Sequence, residues 1–370
     1  MTLSDDISTP QRRLKIASHI ARFIIGLAFI ISGVTKVVDP WATAIKIEEY
    51  FTLYGLEILM PATMWLSIWL SSAEMMMGSM MVLKIRIRMV SIFVLFSIGF
   101  FTILTLLSAT VMPVEDCGCF GEVVRLTPAQ SFFKNLILLP FAIVVFWRYR
   151  RDKIFNFNTK ELVVAGLLFF LIFGTALYSF LNLPIVDLLP YRKGVDLAQQ
   201  VRLDREARRR SYSTILVYRD RASGELREFA IEDSEWHDDV KWEWVETKSV
   251  ANVESAEVSV APFVIFDSQG DDVTLELISK GRIHIICVTK FENIGRSCER
   301  RVVSYINNAT QRGERVAVVT PQELSKITTP IKVDTYNIDP IIMRNALRAK
   351  IGVISINDGV IEEKRNCRNM

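Results

Sequence analysis

Long apolar segments dominate the first half of the chain. A membrane-spanning helix needs roughly 20 mostly apolar residues, and five segments come close to or exceed that length. They run over about Ala21 to Val38, Ile58 to Leu83, Val90 to Met112, Phe132 to Trp147 and Leu162 to Leu183. The first starts too late for a cleaved signal peptide, and no small-residue cleavage site follows it. We therefore predict five retained transmembrane helices, the first of which also serves as the targeting signal.

Short alternating elements replace the long apolar runs in the second half of the chain. Tyr212 to Tyr218 and Leu226 to Ile231 flank a turn and predict a hairpin. From about Ala261 the pattern predicts strand, helix, strand, helix and then an antiparallel pair. The predicted strands are Phe263–Phe266, Ile283–Thr289, Val316–Val319, Gly352–Ile356 and Val360–Lys364. The predicted helices are Cys298–Asn308, Pro321–Ile327 and Asp339–Ala349, and Val273–Ile278 is helical or extended.

These patterns predict a membrane bundle of four α-helices plus a fifth transmembrane helix, followed by an α/β domain. We place the bundle at residues 1–155, the fifth helix at 156–183, a linker with a β-rich extension at 184–254 and the α/β domain at 255–370. The chain has 370 residues, of which 50% are hydrophobic, and a mean hydropathy of +0.27, which is too apolar for an ordinary soluble protein. Its net charge of +3 is small, and the sequence has no basic patch interleaved with aromatic residues. Both observations argue against nucleic acid as a partner.

Lysine and arginine in the short loops predict the orientation, because cytoplasmic loops carry an excess of them. The N-terminal tail and the loops after the second and fourth helices are basic; the other two loops are acidic. The basic residues are Arg12, Arg13, Lys15, Arg22, Lys84, Arg86, Arg88, Arg148, Arg150, Arg151 and Lys153. We expect a bacterial inner-membrane protein with a cytoplasmic N-terminus and a periplasmic C-terminal domain, in contact with membrane lipid.

Two cysteines separated by one glycine, Cys117-Gly118-Cys119, lie in the loop predicted to face the periplasm. A disulfide between residues i and i+2 is sterically possible, and glycine permits the unusual dihedral angles. Such a small ring is strained, and strained, exposed disulfides are the more oxidising ones. The pair is therefore a candidate for redox catalysis, with a static loop staple as the alternative. Metal binding is less favoured, since no histidine or further cysteine lies in the neighbouring loops.

Three ionisable residues lie in or beside the apolar helices. Glu74 lies near the middle of the second helix, Lys36 at the outer end of the first, and Lys134 near the start of the fourth. The two lysines either extend to the membrane interface or create a positive potential beside the cysteine pair, which would favour a reactive thiolate. We interpret Glu74 as an internal structural partner in preference to a proton carrier.

The membrane half resembles the DoxX/MauE-type four-helix membrane proteins over about residues 15–150. The resemblance is carried by Ser32-Gly33 with Lys36 and Asp39-Pro40, by Glu74, by Asp116-Cys117-Gly118-Cys119-Phe120-Gly121, and by Phe133-Lys134-Asn135. It implies a four-helix bundle with a role in periplasmic thiol-disulfide traffic or in maturation of a disulfide-bearing partner. No cofactor is evident. A quinone is suggested only by analogy with quinone-linked disulfide-forming membrane enzymes.

The outer domain resembles thioredoxin-like domains of the TlpA/peroxiredoxin type over about residues 255–367, as in five-span DoxX-family proteins of Bacteroidetes-type bacteria. Its opening segment, Phe263 to Thr274, and its closing hairpin, Gly352 to Ile361, carry the resemblance. The family's Cys-x-x-Cys motif is missing, because Gly295 stands at the first cysteine position and only Cys298 remains. The resemblance therefore implies a fold without independent dithiol chemistry.

The three cysteines of the second half receive different interpretations. Cys287 is expected to pack as a small hydrophobic residue in a central strand. Cys298 is a candidate for a mixed disulfide with another thiol, and Cys367 is interpreted as incidental in a basic, mobile tail.

Three functions remain open from the sequence. The first is a thiol-disulfide oxidoreductase in which Cys117 and Cys119 exchange with a periplasmic client protein. The second is a non-catalytic membrane scaffold whose outer domain binds a periplasmic partner. The third is a small-solute transporter with Glu74 in the pathway, which the lack of a broken-helix pair disfavours. Whether the protein is an enzyme is left undecided.

Overall fold

The computed structural model describes residues 10–111, 118, 126–152, 159–187, 189–230, 233–251, 262–324 and 333–370. The chain divides into two units, the first ending at Pro190 and the second beginning at Tyr191. Each unit is described by itself below.

The first unit is helical. Its helices are α1 (Pro10–Val38), α2 (Pro40–Leu53), α3 (Thr63–Leu83), α4 (Ile87–Thr110), α5 (Pro128–Tyr149) and α6 (Thr159–Leu181), with a 3-10 turn at Glu57–Ala62. Among the described residues, α1, the 3-10 turn joined to α3, α4, α5 and α6 are each long and apolar enough to cross a membrane. The prediction of five apolar spans is therefore confirmed, and α2 is an additional helix that the sequence analysis treated as a loop.

Local sequence determines where these helices begin. Asp39 caps α2 because its Oδ1 accepts a hydrogen bond from Ala42 N, 3.2 Å away, and Pro40 occupies the first turn, where no donor is needed. Thr127 and Gln130 form a reciprocal capping box at the start of α5. These caps fix the starts of the two helices that follow α1 and α4.

Glycines bring α1 and α3 into close contact. A Cβ atom built on Gly33 would lie 2.6 Å from Met75 Cα, and one on Gly78 would lie 2.8 Å from Ile30 N. Neither position has room for a side chain, so the two backbones approach as small residues allow in membrane helix pairs. At the other end of the pair, buried Arg22 donates from Nη1 to the carbonyls of Met81 and Val82 in the last turn of α3.

The second unit contains two sheets. Its strands are β1 (Tyr212–Asp220), β2 (Leu226–Ala230), β3 (Trp242–Ala251), β4 (Ile265–Phe266), β5 (Arg282–Val288), β6 (Arg315–Thr320), β7 (Thr335–Ile338), β8 (Ile351–Asn357) and β9 (Val360–Asn366). Its helices are α7 (Leu197–Ser211), α8 (Thr274–Ile278), α9 (Arg296–Gln311) and α10 (Pro340–Leu347).

The larger sheet has six strands in the order β9-β8-β5-β6-β7-β4. β5, β6 and β7 are mutually parallel, whereas β8 and β9 form the antiparallel hairpin predicted from the sequence. β5 lies at the centre, and its residues from Ile283 to Val288 are all buried, as expected of a strand covered on both faces. The predicted helix over Pro321–Ile327 lies mostly outside the described residues.

The smaller sheet has the order β2-β1-β3 and is antiparallel throughout. The predicted hairpin corresponds to β1 and β2, and β3 is a third strand that the sequence analysis did not assign. Phe229 and Trp242 pack edge to face, with ring centroids 4.9 Å apart, in the small core of this sheet. The extension between the membrane helices and the larger sheet is thus a folded sheet.

Candidate functional site

Gly118 is the part of the Cys-Gly-Cys segment that the structure describes. Cys117 and Cys119 themselves lie outside the described residues. Gly118 has a φ of +61°, in the left-handed region that residues with a Cβ atom rarely adopt. The glycine between the two cysteines is therefore required by the local backbone conformation.

Lys46 of α2 lies directly against Gly118. A Cβ atom built on Gly118 would lie only 2.9 Å from Lys46 Cγ and 3.5 Å from Lys46 Cβ. The lysine stem thus occupies the space that a side chain at position 118 would need. Lys46 Nζ also forms an ion pair with Glu49 Oε2 at 3.1 Å, and 19% of the Lys46 side chain is exposed. The aliphatic stem of a lysine on a folded helix therefore adjoins the glycine of the Cys-Gly-Cys segment.

The position of Lys46 depends on how α2 is attached to its neighbours. Ser67 Oγ of α3 donates to the Pro40 carbonyl at 2.6 Å, and Thr63 Oγ1 donates to Glu48 Oε1 at 3.1 Å. These bonds join the first residue and the third turn of α2 to α3. The sequence analysis missed Lys46 because it treated residues 40–53 as a loop, although the Asp39-Pro40 cap signals a helix start there.

Lys36 and Glu74 form an ion pair inside the helical unit. Lys36 Nζ of α1 lies 2.6 Å from Glu74 Oε2 of α3, and the two side chains are only 9% and 15% exposed. The close approach of α1 and α3 at Gly33 places the two side chains within this distance. Glu74 thus has an internal partner, and that partner is Lys36.

Lys134 lies in the second turn of α5 and is half-buried. One interpretation of the sequence places Lys36 and Lys134 beside the cysteine pair. In the structure Lys36 forms an ion pair with Glu74, and Lys46 is a lysine whose side chain adjoins Gly118. Among the described residues, no group of three or more histidine, cysteine, aspartate or glutamate side chains could hold a metal ion.

Cys298 and Cys367 form a disulfide in the second unit, with Cα atoms 5.7 Å apart. Cys298 lies in the first turn of α9, and Cys367 lies in a 3-10 turn directly after β9. The interpretation of Cys367 as incidental in a mobile tail is therefore wrong, because the hairpin of β8 and β9 carries it to α9. Cys298 does form a disulfide, but its partner is a thiol of the same chain.

Cys287 is buried in β5 and is a free thiol. Burial raises the pKa of this thiol to about 12, which keeps it protonated and unreactive at neutral pH. It packs as a small apolar residue.

A polar pocket of about 680 Å³ opens over the larger sheet of the second unit. At its base lies buried His284 of β5, whose Nδ1 is 2.8 Å from Ser355 Oγ and 3.0 Å from the Tyr305 hydroxyl. His284 Nε2 lies 3.1 Å from Glu314 Oε2. The sequence analysis did not identify this cluster, because its members come from α9, the turn before β6, and strands β5 and β8.

Glu314 is ionised in this cluster. A hydrogen bond from Arg312, with those from His284 and Arg282, lowers the pKa of Glu314 to about 2 against a burial effect that would raise it. An ionised carboxylate only accepts hydrogen bonds, so His284 Nε2 carries a proton and donates it.

Comparison with known proteins agrees with the helical architecture. The family model of methylamine utilisation protein MauE matches residues 14–148, which contain α2 and four of the five apolar spans. The protein TlpB of Flavobacterium psychrophilum is 29% identical over 158 residues, which make up 40% of this chain and 40% of that protein. The chain thus spans about two fifths of the length of this relative. No solved structure matches the chain.

Residues 14–148 are therefore similar to the MauE family, in agreement with the MauE part of the sequence resemblance. The chain as a whole is a membrane protein with five apolar helices followed by a sheet-containing unit.

Proposed function

We propose that this protein exchanges thiols and disulfides with a client protein outside the cytoplasm, through Cys117 and Cys119. The single observation that carries the proposal is the contact of Lys46 with Gly118, between the two cysteines. A cation next to a cysteine favours the thiolate, which is the form that attacks a disulfide and the form that leaves when a disulfide is broken.

The bundle supports this function by positioning Lys46. Helix α2 is fixed to α3 through Ser67 and Thr63, so the lysine has a defined place and is not left on a loose loop. The Lys36–Glu74 pair neutralises the two charges within the bundle and joins α1 to α3. Glu74 then serves the architecture, which argues against a transport pathway through it.

The match to MauE and the similarity to TlpB support a membrane protein linked to disulfide maturation. We further infer that the N-terminus is cytoplasmic and that the second unit is a thioredoxin-like domain in the periplasm of a bacterium. The parallel β5-β6-β7 strands and the closing β8-β9 hairpin support the fold, and the basic loops support the orientation. A quinone remains an analogy and enters no step of the proposal.

In the exchange, a client thiolate attacks one sulfur of the Cys117–Cys119 disulfide and the other sulfur leaves as a thiolate. The second client thiolate then attacks the client sulfur of the mixed disulfide, and the loop cysteine leaves as a thiolate. Two electrons pass from the client dithiol to the cysteine pair, and the client becomes a disulfide.

Trapping tests this proposal. Each single variant, Cys117→Ser or Cys119→Ser, keeps one loop thiolate that can attack the disulfide of an oxidised client in the reverse exchange. It lacks the second loop thiol that would resolve this mixed disulfide, so each should accumulate client adducts on non-reducing gels. The double variant, which has no sulfur in the loop, is the matched control and should accumulate none through that loop. Peptide mapping assigns each adduct to its cysteine. Absence of loop adducts in both single variants, together with normal client oxidation by the double variant, would rule the proposal out.

A second candidate is the non-catalytic scaffold, in which the second unit binds a partner. The open polar pocket over His284 and Glu314 favours it, since the pocket offers both cationic and anionic side chains to a polar ligand. Under this alternative, His284→Ala would abolish partner binding, while the Cys117→Ser/Cys119→Ser variant would bind its partner normally.

A further inference from the structure

We propose that the Cys298–Cys367 disulfide is a second thiol-disulfide exchange site, which accepts electrons from a protein dithiol. The inference rests on the proposed function only for the class of client, because a different pair of sulfurs in a different unit of the chain does the chemistry. Four features of the disulfide support it: its place in the fold, its exposure, its charged surroundings and its attachment.

The first feature is the position of Cys298 at the start of a helix. Cys298 is the third residue of α9, a helix of 16 residues whose N-cap residue, Gly295, provides no side-chain cap. The first backbone N–H groups of a helix are unsatisfied within the helix and carry partial positive charge. A thiolate at Cys298 is stabilised there, as thiolates are at helix N-termini in general.

Exposure distinguishes this pair from the other described cysteine. Cys298 and Cys367 are both partly buried, with Cys298 packed against the core around Val302, and each keeps part of its surface exposed. Cys287 is only 2% exposed and has a raised pKa. A staple that serves only folding needs no access to solvent. An exchange site needs it, because the attacking thiolate must approach along the line of the S–S bond.

The surroundings of the pair are basic. Arg296, Arg300 and Arg301 lie on α9 around Cys298, with Glu299 as the acidic residue of that turn, and Arg368 follows Cys367. An excess of positive charge favours approach of a client thiolate and stabilises the thiolate that leaves.

The turn that carries Cys367 is also joined to α9 by hydrogen bonds. Arg301 Nη1 donates to the carbonyl of Arg368 at 2.8 Å and to that of Cys367 at 3.4 Å. These hydrogen bonds hold the turn with Cys367 against α9 independently of the disulfide. After the S–S bond is broken, Cys367 therefore stays close enough to Cys298 for the bond to form again.

The chemical step follows from which thiolate is the better leaving group. The client thiolate attacks Cys367 Sγ and forms a client–Cys367 disulfide, while Cys298 leaves as the thiolate stabilised by α9. The second client thiolate then attacks the client sulfur that is bonded to Cys367, and Cys367 leaves as a thiolate. The client dithiol loses two electrons and two protons and becomes a disulfide, and the Cys298 and Cys367 thiols gain them.

The experiment uses the full chain in detergent micelles and a synthetic peptide with two reduced cysteines. After incubation under native conditions, free thiols are alkylated and mass spectrometry reads each cysteine separately. We expect Cys298 and Cys367 to become reduced while the peptide is oxidised one for one, and early quenching to show the peptide on Cys367. A Cys298–Cys367 pair that stays oxidised until denaturant unfolds the second unit would overturn the proposal and leave a structural staple.

The same experiment separates the two sites. Cys117 and Cys119 are read on a different peptide from Cys298 and Cys367, so either pair can react while the other does not. The buried Cys287 serves as the internal control and should resist alkylation until the protein is unfolded.

Discussion

The Lys36–Glu74 ion pair offers the sharpest test of how the membrane bundle is held together. At 2.6 Å, two unit charges attract by about 6 kcal/mol at an effective dielectric constant of about 20. Desolvation of both groups offsets most of this attraction, so the intact pair adds little net stability. Loss of one partner is different, because it removes the opposite charge from a mostly buried ion among apolar helices, at a cost of about 3 kcal/mol.

We therefore expect Lys36→Met and Glu74→Gln each to destabilise the protein by about 3 kcal/mol. The double variant, which carries neither charge, should recover at least about 2 kcal/mol of the combined loss, since residues in direct contact are energetically coupled. In a unit of this size, each single variant should lower the thermal midpoint by roughly 6 to 12 °C. Thermal unfolding of the full chain in detergent, followed by far-UV circular dichroism, measures these shifts.

Glu49→Gln is the matched control, because it removes the more exposed ion pair with Lys46. Such pairs contribute less than about 1 kcal/mol, so its midpoint should stay within a few degrees of the wild-type value. Strict additivity of the Lys36→Met and Glu74→Gln effects in the double variant would refute the reasoning, since it would mean that the two charges do not interact.

Three further predictions concern the two cysteine sites and the polar pocket. Lys46→Met should slow alkylation of the reduced Cys-Gly-Cys thiols at neutral pH by about tenfold, because less thiolate is present. Lys15→Met, at an exposed position near the start of α1, is the control, and an equal effect of both variants would contradict the role of Lys46. Arg301→Ala should slow re-formation of the Cys298–Cys367 disulfide after reduction by about fivefold, the equivalent of one lost hydrogen bond, because Arg301 holds the turn with Cys367 against α9. Mass-tag alkylation measures the rate, and Arg300→Ala, whose Nε bonds to Arg296 O within α9, is the control and should leave that rate unchanged. Glu314, whose pKa its arginine neighbours lower from 4.5 to about 2, should stabilise the second unit above pH 4.5, and this contribution should be lost as pH falls toward 2. Its upper limit of about 3 kcal/mol is reduced toward about 1 kcal/mol by solvent screening. Unfolding of the wild type and of Glu314→Gln at pH 6 and pH 3 tests this, and a stability difference between the two proteins that is the same at both pH values would be the contrary result.

The sequence predicted the parts of the fold that depend on composition and periodicity. Five apolar segments give five spanning helices because backbone hydrogen bonds in a membrane must be satisfied within the segment. The run from Ile283 to Val288 gives a central strand because only a strand buried on both faces tolerates so many consecutive apolar residues. Helix α2 was missed because its 14 residues are too few to span and lie between two stronger signals.

The candidate site depended on distances that no single stretch of sequence contains. Lys36 and Glu74 are 38 residues apart and meet only because Gly33 and Gly78 let α1 and α3 touch. Cys298 and Cys367 are 69 residues apart and meet only because β8 and β9 form a hairpin that ends beside α9. A strand was also missed over residues 242–251, where alternating tryptophan, valine and polar residues are typical of a half-buried strand.

The oxidation state of Cys117 and Cys119 in intact cells tests the central proposal most directly. Cells are treated with a membrane-impermeant maleimide before and after mild reduction, and mass spectrometry counts the tagged loop cysteines. An exchange site facing the periplasm should be tagged only after reduction, and cells that are labelled after the reductant has been washed out should again show no tagging. Tagging without reductant, or no tagging until the membrane is permeabilised, would show free or cytoplasmic thiols and would contradict the proposed function.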